Sequence, residues 1–89
     1  MTRADALARL AVCAAEARAM LLACGLDDVS DASVAGAIAD ADAELEHSAH
    51  TAHGLVVRAL RRRRDALIAA HEYLAQTQRA QRALDGETT

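Results

Sequence analysis

The 89-residue chain has no tryptophan, phenylalanine, proline or lysine, one tyrosine and only four glycines. Strands draw on aromatic and β-branched residues, and their turns on glycine and proline, so this shortage argues against a sheet. Few aromatics also means few platforms on which nucleic-acid bases could stack. Cysteine is scarce too: Cys13 and Cys24 stand eleven residues apart. On one helix they would lie about 16 Å apart along the axis, beyond disulfide reach, and they read as small apolar residues rather than a disulfide framework.

Alanine is abundant, with 24 copies beside 20 larger aliphatics: 11 Leu, 5 Val, 2 Ile and 2 Met. Alanine and leucine lead the helix-propensity scale, and the length allows one domain at most, so the composition predicts an all-α chain. Leu, Ile and Val together supply only 18 residues. A core built largely of methyl groups buries little area per residue, and a domain this small is marginal in any case. The sequence therefore predicts that the chain needs a partner.

The formal net charge is −3, but it is unevenly spread. Residues 27–53 carry seven acidic side chains and no arginine, whereas residues 54–84 carry seven arginines against Asp65 and Glu72. Asp5 and Arg9 interrupt the only early apolar stretch, and the longest uncharged apolar run, 19–26, is far shorter than the roughly 20 residues that span a bilayer. The expectation is a chain made in the cytoplasm, without a membrane span or a cleavable signal peptide. If it is exported, the route does not read an N-terminal signal.

Periodicity organises the chain into helices. Leu7, Leu10, Ala14, Ala17, Leu21 and Cys24 recur at heptad spacing on one stripe. Thr2 and Asp5 resemble a capping box, and Gly25 stands where a left-handed C-terminal cap belongs. This predicts a helix over about 3–24. A loop follows over about 25–33, where Ser30 or Ser33 can cap the next helix.

From Val34 a second stripe runs through Ile38, Ala41, Leu45, Ala49, Ala52, Val56, Leu60, Leu67, Ala70, Leu74 and Leu84, with a stutter beside Gly54. No proline or polar cluster interrupts it. The pattern predicts one long helix over about 34–84, a frayed tail over 85–89 and a two-helix antiparallel hairpin in a single domain. The alternative is a three-helix bundle broken at His53-Gly54. Apart from the alanine bias, the two stripes offer Leu7, Leu10, Ala14, Ala17, Leu21, Ile38, Leu45, Val56, Leu60, Leu67 and Leu74 to a partner.

Two clusters invite a chemical reading. His47, His50 and His53 recur every third residue near Glu44 and Glu46, and a metal could bridge a pair of them one helical turn apart. That spacing drifts around the helix, so the three rings do not converge readily, and solvated histidines are the plainer reading. Arg58 and Arg61 to Arg64 form a basic collar that could meet phosphates. Consecutive helical residues spread around the circumference, however, and the chain is net acidic, which argues against nucleic acid and against a membrane surface. Neither a phosphate-binding glycine loop nor a readable nucleophile–base pair is present, so the sequence predicts no enzyme and implies no cofactor.

The C-terminal stretch holds the single aromatic, Tyr73, four residues before Thr77 on an alanine-rich segment. It resembles the end of the small helical-hairpin proteins of type VII (ESX) secretion systems. In that family a Trp-x-Gly turn joins two helices, and a Tyr-x-x-x-Asp/Glu motif near the C-terminus acts as an export signal. Here Val34-Ala35-Gly36 occupies the turn position without the Trp, Tyr73 follows Gly36 by 37 residues, and Thr77 stands where the acid belongs. The resemblance implies a secreted substrate or the partner of one, pairing with another helical hairpin or a second copy into a four-helix bundle. The alternatives from other classes are a small regulator that binds nucleic acid through the Arg58–Arg64 collar and a metal-responsive bundle.

Overall fold

In the computed structural model the described residues, 2–51 and 53–86, form three helices and no strand. They are α1 (Arg3–Ala23), α2 (Asp31–Ser48) and α3 (Gly54–Gly86). The all-α expectation holds, with the three-helix architecture in place of the single helix over 34–84. Ala52, one position of the second stripe, and 87–89 of the tail lie outside the described residues, while Asp85 and Gly86 still belong to α3.

Local chemistry sets the helix ends. The Thr2 hydroxyl accepts from the Asp5 amide at 3.1 Å, and the Asp5 carboxylate accepts from the Thr2 amide at 3.4 Å, closing the capping box that starts α1. Gly25, at φ +95°, turns the chain out of α1. Ser30 then accepts from the Ser33 amide at 3.3 Å and starts α2 at Asp31, so the loop is shorter than the periodicity suggested.

The break between α2 and α3 has a cap that the sequence disguised. The Nδ1 atom of His53 accepts from the Leu55 amide at 3.1 Å, while the His53 carbonyl accepts from the amides of Val56 and Val57. His53 thus performs the N-cap role usually held by Ser, Thr, Asp or Asn. On the other side, the Thr51 hydroxyl donates to the His47 carbonyl at 3.2 Å and satisfies one of the last acceptors of α2.

α3 is the spine. α1 and α2 each pack on it and touch one another far less. Arg3 meets Leu84 and Asp85, and Arg63 meets Cys24, so α1 runs antiparallel to the C-terminal part of α3. His71 lies 3.5 Å from Asp31 and Arg64 lies 3.6 Å from Asp42, so α2 runs antiparallel to the N-terminal part. The two short helices are therefore staggered, and all three helices overlap only over the middle of α3.

The core sits at that overlap. Ala14, Ala17 and Leu21 from α1, Val34 and Ala41 from α2, and Leu67, Ala70 and Leu74 from α3 form one buried cluster. Leu67, Ala70, Leu74 and Thr77 keep heptad spacing, so one stripe of α3 meets both partners. Leu21, Val34 and Leu67 are its largest fully buried side chains, each contributing about 2–3 kcal/mol by removal from water.

Candidate interaction surface

Of the residues the sequence offered to a partner, Ala14, Ala17, Leu21, Leu67 and Leu74 are buried in the chain's own core. Leu45 is also buried, though apart from the central cluster, and Leu7, Leu10, Ile38 and Leu60 are half-buried. The inward stripes are thus largely consumed within one copy. Val56 is the exception, at 49% exposed, next to Leu55 at 66%. A partner that meets the folded bundle must use other surface.

The outer side of α1 offers such surface. Ala8, Ala11, Val12, Ala15, Ala19 and Leu22 are all exposed, and the helical repeat places them on the side away from the buried stripe. Val12 is 57% and Leu22 52% exposed. The charged residues of α1, Arg9, Glu16 and Arg18 among them, flank this strip rather than interrupt it. An amphipathic helix has one apolar face, whereas α1 has two, and its own fold covers only one.

The export-like residues lie on the seam between α1 and α3. Tyr73 is half-buried, with its phenol beside Cys13 and Glu16 of α1. Hydrogen bonding with Cys13, then burial, then the Glu16 carboxylate all disfavour the phenolate and push Tyr73 up to about 12. Thr77 is only 4% exposed, and its hydroxyl donates to the Tyr73 carbonyl at 2.8 Å. A carboxylate at position 77 would be taken out of water in the seam, which gives a physical reason for threonine there. Gly36 is not in a turn: capping by Ser30 starts α2 at Asp31, so Val34-Ala35-Gly36 lies within the helix, with Val34 in the core.

The charged clusters also resolve into structural roles. Arg63 donates from Nε and Nη2 to the Cys24 carbonyl at 3.3 and 3.2 Å, capping the C-terminus of α1 from α3. Arg3 reciprocates, donating to the Leu84 carbonyl near the C-terminus of α3 at 3.1 Å. Cations suit both places, because helix C-termini carry unpaired carbonyls and negative potential. Arg64 reaches Asp65 and Asp42, leaving Arg58, Arg61 and Arg62 as the exposed remainder of the collar.

His47 lies in the last turn of α2, His50 in the connection, and His53 caps α3. Among the described residues, no three His, Cys, Asp or Glu side chains are placed to hold one metal ion. The Asp28 carboxylate accepts from the Ser30 amide and from the Ser30 and Ser33 hydroxyls, at 2.9 to 3.1 Å. The Ser30 amide, then the two hydroxyls, hold it below the usual carboxylate range.

One open groove of about 600 Å³ lies where α1 and α3 extend beyond the start of α2, lined by Leu7, Asp31, Gln78, Gln81, Arg82 and Asp85. Its walls are mostly polar, so it lacks the apolar lining typical of small-molecule sites. Sequence periodicity could not have found the Arg3 and Arg63 clamps, because both depend on which helix ends meet in space. No helix among the described residues is long and apolar enough to cross a membrane. No protein-family model, curated protein or solved structure matches the chain.

Proposed function

We propose that this protein is a non-enzymatic helical interaction module whose outer α1 face binds another helical protein. The observation that carries the reading is the second apolar face of α1, with Val12 and Leu22 exposed amid alanines. Small residues let a partner helix approach closely, and burying such a strip is favourable in proportion to its apolar area. The resemblance to type VII secretion proteins suggests the kind of partner, a helical hairpin, and the role, a secretion substrate or its companion. Tyr73 would then act only after α1 lifts from α3, because the seam now holds it.

The test is co-purification from the native cell with the wild-type chain and with Val12→Glu and Ala15→Glu as baits. A helical protein retained by the wild type and lost from both variants, with unchanged helix content and melting temperature, is the expected result. Equal retention by all three chains would remove α1's outer face as the binding surface.

A further inference from the structure

We propose that α2 and α3 exchange between two copies of this chain: the connection after Ser48 straightens and joins the two helices, giving a domain-swapped dimer. Four observations lead there. First, the apolar stripe does not stop at the break. Leu45, Ala49, Val56 and Leu60 remain in register across it, as they would along one continuous helix. Second, the described residues of the connection are tied locally. Ala49 already has helical dihedrals, φ −57° and ψ −31°, and the hydrogen bonds made by Thr51 and His53 join near neighbours in sequence.

Third, Gly54 has the room a helix-forming residue would need, since an added Cβ would meet nothing within 4 Å. Fourth, Leu55 and Val56 are left exposed on the turn-proximal end of α3, below the level where α1 covers that helix. The Asp42–Arg64 contact fixes the α2–α3 register. Kept between two copies, the same register puts the two-fold axis at the connection and lays Val56 of each copy against Ala49 of the second.

Exchange retains the α2–α3 contacts and changes only which chain supplies each helix. The balance then rests on the connection and on protein concentration, which is the usual logic of domain swapping. The inference is separate from partner binding by α1, whose outer face has the same sequence in monomer and exchanged dimer.

The experiment is light scattering on the purified full chain over a concentration series, after refolding at high concentration. The wild type should show a dimer fraction that grows with concentration and decays on dilution only as slowly as the chain unfolds. Gly54→Ala should raise the dimer association constant by a few-fold, since Gly54 only opens α3 in the single copy but stands inside a continuous helix in both chains of the dimer. Gly54→Pro should abolish the dimer. Proline suits the first position of α3 but would remove an N–H and clash with a carbonyl inside a continuous helix.

His53→Asp, a stronger N-cap, should act in the same direction and guards against a proline variant that fails to fold. Wild type and Gly54→Ala that stay monomeric at every concentration would overturn the proposal. So would a dimer that survives Gly54→Pro, or a dimer that falls apart at once on dilution. Loss of exchange in Gly54→Pro with partner capture by α1 intact would separate the two readings.

Discussion

The α1–α3 seam and the turn-proximal end of the α2–α3 pair draw on the same Leu, Ala and Val stock, but they are finished differently. Along the seam, Ala14, Ala17 and Leu21 meet an α3 stripe that α2 also covers from the other side, and an arginine clamps each end. At the turn end only two helices are present, and Leu55 and Val56 keep much of their area in water. An alanine-rich helix pair has too little apolar mass to close its own surface, so burial becomes complete only where a third helix arrives. Stability is accordingly concentrated in the middle of α3 and thins towards residue 54.

The sharpest way to break this contrast is to truncate one aliphatic side chain on each side of it. Leu67→Ala should cost about 3 kcal/mol or more, read as a fall in the urea midpoint, because it opens a cavity where three helices meet. Val56→Ala should change stability by no more than about 0.5 kcal/mol, as expected of a largely exposed position. Equal losses at the two sites would show that the ends are not energetically distinct.

Thr77→Asp comes next. It supplies the acid of the export-like motif, yet places it on the closed seam, and should cost about 2–3 kcal/mol at neutral pH. Thr77→Val should be nearly neutral in the same denaturation measurement. A smaller effect is expected at the clamp: Arg63→Ala should cost about 1 kcal/mol through loss of the Cys24 carbonyl's partner, whereas Arg61→Ala should be silent.

Two titrations probe the seam and the loop that feeds α2. With one tyrosine and no tryptophan, phenolate absorbance reports Tyr73 alone. Its folded pKa is raised, so its contribution to stability is present below the ordinary 10.0 and is lost as pH rises towards about 12. Cys13→Ala should bring the midpoint back towards the ordinary value. Asp28 works in the opposite sense. Its folded pKa lies below 3.8, so its contribution is present above that value and is lost as pH falls through the lowered folded pKa. Asp28→Asn should flatten the acid limb of the stability curve, and an unchanged limb would mean the serine ring around Asp28 does not hold α2.

Much of α1 was legible because its signals are local. The heptad named the inward stripe, and Thr2, Asp5 and Gly25 marked its ends by well-known chemistry. The break before Gly54 was legible only as the alternative to one long helix, for the same reason. Its cap is an imidazole nitrogen rather than a hydroxyl or carboxylate, no proline announces it, and the apolar stripe carries through. The histidine triplet hinted at ligand spacing on one helix, a picture that fails once His47 lies in the last turn of α2 and His53 caps α3. Arg63 and Thr77 were illegible in another way: one caps a helix 39 residues upstream, and the other is buried only because α1 lies over it.

The stagger of α1 and α2 along α3 has a hydrodynamic consequence. The molecule measures 55 × 20 × 18 Å, with a radius of gyration of 16.4 Å. A compact chain of this length would have a radius of gyration of about 12 Å. A single copy should therefore leave a gel-filtration column early, at the volume of a larger sphere, and only a mass measurement independent of shape will tell it from a pair.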